Sequence, residues 1–472
     1  MDSIGTTRSG ATWRGGARGL SHGALALVLA AALLLQPIAA RAQALHFIRD
    51  AEIEDLLNDY SRPIFKAAGL GNQKVKVRII EDRAFNAFVL DGRNVFINSG
   101  ALMDADTPNQ IIGVLAHETG HIAGGHMAAL RAKIQKDSSL ALLMQILGIG
   151  AMIAGAASSG QGKDVGIGAG NSILSATPDL ATRSILSYRR VQESSADQAG
   201  VSFLNATHQS AKGMLVTFQK FAEDELFAGA QSSSYVTSHP MARDRIAQLK
   251  ELAERSPYYD TVDPPELQQR HDLMRAKLVG YMESPQSVFN RYPASDDSLA
   301  ARYARAIATF NASGLEAGVT QVNQLIAEHP ENGYFWELKA DFLSRNGKNA
   351  DAAAALRKSL QLLPDQSLVR AELAQALLGT QDKRYLGEIV KLLRKSLVED
   401  ETSTAYRQLA TAYYGLGDEG QADLASAQAS LLEGRGKDAK AFAKRAQALL
   451  PTGSQGWLKA DDILKIDAGA GE

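Results

Sequence analysis

The sequence predicts an α+β, mainly helical chain in two parts, a first domain with a small edge-strand sheet and then an all-α repeat solenoid. Three observations carry that prediction. Lys74 to Ile80 alternates in polarity, and Phe85 to Leu90 and Val95 to Asn98 flank the turn Asp91-Gly92-Arg93-Asn94, so these segments read as strands. His117-Glu118-Thr119-Gly120-His121 sits in a strong helical pattern. From about Ser298 onward the chain is helical and repeats itself.

The motif helix has a legible start. Thr107 is placed as N-cap, Pro108 fits the first helical position, and Gln110 completes a capping box before the apolar run Ile111 to Ala116. His117 and His121 are four apart, so a helix puts both imidazoles on one face, where they can hold one metal ion. Glu118 beside them is positioned as general base, the pattern of a zinc peptidase. The chain has only 9 His, so this spacing is an improbable accident. A catalytic zinc wants a third protein ligand. Glu193 supplies it, in the E-x-x-x-D of a helix from about Ile185 to Leu204, with Asp197 on the same face to accept a hydrogen bond from the far nitrogen of His117 or His121. His126 is one residue short of the position another zinc-peptidase pattern requires, where Met127 stands. It reads as a non-ligand that stabilises its helix.

Composition narrows the partners. A net charge of -2 offers no basic field for nucleic acid, and zero Cys leaves His and carboxylates as the metal ligands. Residues 1–44 read as a secretory signal peptide. Arg8, Arg14 and Arg18 precede the apolar run Ala24 to Leu35, and Ala40-Arg41-Ala42 and Ala42-Gln43-Ala44 are cleavage sites. Residues 45–258 form the first domain. Within it, 140–170 is apolar and then Gly-rich, which suits a lid near the cleft or a peripheral membrane contact. Residues 259–297 connect to the repeats of 298–470. There Pro330 and Pro364 are 34 residues apart, and Trp336, Ala340, Gly347, Ala352 and Leu356 fall at tetratricopeptide positions. Tyr406, Leu409, Ala410, Tyr413, Gly417 and Ala422 repeat the spacing, while Ala371 to Glu399 is irregular.

Asn86-Ala87-Phe88, Ser99-Gly100, Leu115 to His121, Glu193 to Gly200 and Ser238-His239-Pro240 together closely resemble the HtpX/CAAX-prenyl-protease family of zinc metallopeptidases, nearest its periplasmic type with C-terminal tetratricopeptide repeats. The resemblance implies a zincin-like (gluzincin) metalloprotease domain with one Zn²⁺ per chain. It implies that His239 takes the fourth zinc position and holds the enzyme off, and that Arg245 lies near the cleft. It also implies that Val95, Phe96, Ile97 and Asn98 are the edge strand on which an extended substrate pairs. The expected function is endopeptidase cleavage of extended or misassembled polypeptides, in outer-membrane protein assembly and quality control, with the repeats binding clients or the assembly machinery. The rival is a chaperone or adaptor whose repeats do the main work.

Overall fold

The computed structural model describes residues 46–137, 180–228, 235, 239 and 243–466. The expected signal peptide and the 140–170 segment lie outside the described residues.

The sheet has four strands, β1 (Phe47–Ile48), β2 (Lys76–Ile80), β3 (Ala87–Val89) and β4 (Asn94–Asn98), in the order β1-β2-β4-β3. β2 and β4 run parallel; the other two pairs are antiparallel. Alternation decides which face is covered. Val77, Ile79, Ala87, Val89, Val95 and Ile97 point into the main core, while Lys76, Arg78, Phe88 and Phe96 take the other face.

The topology corrects the expected substrate strand. Val95, Phe96, Ile97 and Asn98 lie on an interior strand. All four are paired with β2, and Val95 to Ile97 are also paired with Ala87 to Val89. Asn98 N–H donates to Asn86 O at 2.8 Å, which closes the remaining edge. A strand hydrogen-bonded on both sides has no ladder left for a substrate. Among the described residues the sheet edge on that side is β3.

Helix α1 (Ala51–Ala67) and the short α2 (Ser99–Asp104) lead to α3 (Pro108–Ala123), the motif helix. Its start is fixed as the sequence predicts, with Gln110 Oε1 accepting from Thr107 N–H at 3.1 Å. After α4 (His126–Asp137), α5 (Leu180–Ala206) crosses α3 at close range. A Cβ on Gly120 would lie 2.8 Å from Ala196 O, and one on Gly200 would lie 3.2 Å from His117 N. Two missing side chains therefore let the helices approach until Glu193 and Asp197 reach the His pair. α6 (Lys212–Ala228) and α7 (Arg243–Glu254) complete this half.

α8 (Pro265–Met282) is no loose linker. Its Leu273, Met274, Leu278 and Val279 belong to one continuous core, which runs from the sheet to Tyr303, Ile307 and Phe342 in the following helices. After α9 (Pro285–Arg291), the hairpin α10 (Leu299–Ser313) and α11 (Leu315–Glu328) begins the array, followed by α12 (Gly333–Arg345) with α13 (Asn349–Leu362), α14 (Ser367–Gly379) with α15 (Leu386–Glu399), α16 (Ser403–Gly415) with α17 (Glu419–Leu432), and α18 (Gly436–Leu449) with α19 (Gln455–Lys465). Left-handed Gly347 and Gly417 turn two of the pairs, at φ +70° and +79°. The irregular unit lacks that glycine. Gln381 takes φ +58° instead, and a 3-10 turn at Lys383–Tyr385 is inserted before α15.

Candidate metal centre

Four side chains from three segments converge. One ligand atom each from His117, His121, Glu193 and His239 lies within 4.8 Å of the others, and all four residues are buried. The i, i+4 spacing on α3 aims His117 Nε2 and His121 Nε2 at each other, 3.1 Å apart. Glu193, from α5, places Oε2 3.4 Å from His117 Nε2 and Oε1 3.5 Å from His121 Nε2. His239 closes the fourth side, its Nδ1 3.0 Å from Glu193 Oε2 and 3.3 Å from His117 Nε2.

The outer nitrogens are held as well. His117 Nδ1 lies 2.9 Å from Asp197 Oδ1, so Asp197 serves His117 and not His121. His121 Nδ1 lies 3.0 Å from His126 Nδ1. Arg245 is 5% exposed, and its guanidinium is turned inward. Nε and Nη2 donate to Asp197 at 2.6 and 2.8 Å, and Nη1 lies 3.0 Å from Glu193 Oε2. Phe218 lies against its face, 5.2 Å from ring centroid to Cζ. The expected place near the cleft is thus a buried one, where Arg245 braces two carboxylates.

The electrostatics of this arrangement favour a cation. Burial alone would drive positive charge out of His117, yet Asp197 and Glu193 outweigh it and raise its pKa to about 9. Burial would likewise raise Glu193, but His239, Arg245 and His121 hold it well below the usual carboxylate range. Glu118 is the exception. Burial raises it, and although it lies 3.4 Å from His239 Nε2, neither of its oxygens has a hydrogen-bond partner among the described residues. A fully buried carboxyl without a partner is costly unless something else completes the site.

These donors fit zinc. Two Nε2 nitrogens and a carboxylate face one point, and the far nitrogens lie 2.9 Å from Asp197 Oδ1 and 3.0 Å from His126 Nδ1, groups able to take the Nδ1 proton. His126 stands outside the ligand group, as its spacing predicts, but it starts a new helix and does not extend the motif helix. α3 ends at Ala123, Gly125 takes φ +61°, and a new helix starting at His126 turns the ring back onto His121. The consecutive Gly124-Gly125 was the available signal.

Residues 48–253 match the family model Peptidase family M48, and residues 289–455 match a tetratricopeptide repeat model. The beta-barrel assembly-enhancing protease of Yersinia pestis is 24% identical over 396 residues, covering 80% of this chain and 75% of that protein. Its Escherichia coli K12 counterpart is 23% identical over 390 residues, with the same coverage. The metalloprotease LoiP of Escherichia coli K12 is 29% identical over 207 residues, 43% of this chain and 73% of LoiP. No helix among the described residues is long and apolar enough to cross a membrane. The chain is a zinc-dependent metalloprotease, a peptidase family M48 domain followed by C-terminal tetratricopeptide repeats.

Proposed function

We propose that this chain is a periplasmic endopeptidase that removes extended or misassembled polypeptides during outer-membrane β-barrel assembly. The arginines, apolar run and A-x-A sites of residues 1–44 support the compartment, and the names of the relatives support the process. The repeats recruit clients or the assembly machinery, as helical repeat arrays do for protein partners.

The observation that carries the enzymatic reading is Glu118. It is fully buried against the four-residue cluster, without a hydrogen bond among the described residues and raised in pKa by burial, as a general base beside a metal needs to be. His117, His121 and Glu193 would hold zinc, which when bound would supply Lewis acidity to the scissile carbonyl and to the attacking water. Glu118 takes the proton from that water and later delivers it to the leaving amine. Asp197 keeps the His117 tautomer, and Arg245 keeps Asp197 and Glu193 charged and in place. β3 offers the strand edge on which an extended substrate pairs, in place of Val95 to Asn98. His239 sits where the fourth ligand belongs and 3.4 Å from Glu118, so it holds this conformation shut. Strand pairing reads backbone, so cleavage requires unfolded or exposed segments and tolerates many sequences.

Metal analysis joined to casein cleavage tests this reading. Wild type is expected to hold one zinc per chain, and Glu118→Gln to keep that zinc while cleavage falls by about 10²–10⁴-fold. Equal cleavage by both proteins would remove Glu118 as the base. His239→Ala is expected to cleave faster; unchanged or slower cleavage would reject the shut-state role.

A further inference from the structure

We propose that His126 is a positioning residue for the zinc ligand His121. The inference rests on the metalloprotease reading above and extends it to a group outside the ligand set.

To ligate through Nε2, a neutral His121 must carry its proton on Nδ1. Among the described residues, the hydrogen-bonding atom facing that nitrogen is His126 Nδ1, at 3.0 Å. His121 Nδ1–H therefore donates, and His126 Nδ1 accepts as an unprotonated nitrogen. The contact fixes both the tautomer of His121 and the turn of its ring toward Glu193. His117 has a carboxylate, Asp197, in the equivalent place, so the two metal histidines are oriented by different chemistry.

The surroundings constrain His126 at its backbone and beneath its ring. Gln192, one residue before Glu193, donates from Nε2 to His126 O at 3.1 Å, tying the start of α4 to α5. Beneath the ring is Gly124. A Cβ there would lie 2.3 Å from His126 Nε2 and 2.7 Å from its Cδ2. Gly124 has φ −76° and ψ −7°, which any L-residue adopts, so its backbone does not require glycine. The space under the imidazole does.

The test compares zinc affinity, by competition with a chromophoric chelator, with the unfolding midpoint of the metal-free protein. His126→Leu keeps bulk and removes the acceptor, and is expected to weaken zinc about 10–100-fold. His126→Asn returns an acceptor near the Nδ1 position and is expected to recover most of that loss. Both metal-free variants should unfold together. Gly124→Ala leaves His126 in place but pushes its ring, and should also weaken zinc; in a His126→Ala background it should add nothing. Wild-type affinity in His126→Leu would overturn the proposal. So would equal losses in the Leu and Asn variants, or a full further loss from Gly124→Ala in the His126→Ala background. A wild-type protein that takes up no zinc would fail the metalloprotease reading itself, before any variant is compared.

Discussion

Among the described residues, two buried ionic clusters differ in what stands at their middle. At the metal centre, His117, His121, Glu193 and His239 turn ligand atoms to within 4.8 Å of one another, and among the described residues neither Glu118 oxygen has a hydrogen bond. At the seam between the sheet domain and the repeats, Lys277 fills the middle. Its Nζ lies 2.7 Å from Asp50 Oδ2, 3.2 Å from Glu337 Oε2 and 3.4 Å from Glu52 Oε2. Tyr303 OH donates to Glu52 at 2.7 Å. Both places gather carboxylates out of water. The seam neutralises them with an ammonium at its middle, while at the metal centre Arg245 braces Glu193 and Asp197 from outside and the imidazoles face inward as ligands. That difference separates a structural cluster from a functional one more sharply than the number of acids in either.

The comparison breaks most visibly at Lys277. Lys277→Ala leaves the buried Glu52 and Glu337 and the half-buried Asp50 without their shared cation, and should cost about 3–5 kcal/mol in denaturant unfolding. Added zinc should not restore it. A cost below 1 kcal/mol would mean that the seam is hydrated, and the contrast with the metal centre would fail.

Chelation is the converse experiment. Removing zinc from wild type should lower the unfolding free energy by about 2.7 kcal/mol relative to protein with free zinc at a hundredfold excess over its dissociation constant. A Glu193→Gln variant, stripped of one ligand, should show a smaller zinc-dependent shift. The same shift in wild type and Glu193→Gln would place the stabilising metal elsewhere.

The metal centre was legible in the sequence because its key spacings are local. His117 and His121, and Glu193 and Asp197, each sit i, i+4 on a helix, and helical geometry does the rest. The seam was not legible. Asp50, Lys277 and Glu337 are far apart in the chain and carry no spacing rule. The order of the strands was hidden for a related reason. Alternation reveals that Val95 to Asn98 is a strand, but an interior strand with one half-buried face alternates just as an edge strand does. The repeats were visible where Gly347 and Gly417 mark the turns, and faded where Gln381 takes the left-handed conformation instead.

Proton linkage gives a subtler contrast. Burial raises Glu372 to about 8 from the ordinary 4.5, with Asp50 and Asp341 adding to the rise and Lys277 opposing it. A carboxyl whose pKa is higher folded than unfolded binds its proton more tightly in the native state. Its contribution is therefore full below pH 4.5 and is lost as pH rises through about 8. Stability should decline over that interval, and Glu372→Gln should flatten the decline. An unchanged slope in the variant would take Glu372 out of the seam's titration.

The smallest effect is expected where the repeats touch the open face of the sheet. Asp400, in the turn before α16, accepts from Lys76 Nζ at 2.8 Å and pairs with Arg49, with Arg78 at 3.9 Å. Burial would raise its pKa, but Lys76 and Arg49 outweigh burial and depress it. Its contribution is thus present at neutral pH and lost as pH falls into the carboxylate range. Asp400→Asn strands no charge in the interior, unlike loss of Lys277. Arg49 keeps Glu54 at 2.6 Å, and the Lys76 and Arg78 side chains, 38% and 27% exposed, turn to water. The cost should be about 1 kcal/mol or less, and smaller still in high salt. Hydrogen exchange of β1 and β2 reads this contact directly: faster exchange there, with the motif helix unchanged, is the expected result. Equal acceleration in both would mean that Asp400 supports the peptidase fold as a whole, and the seam would then be one cooperative unit with the metal centre.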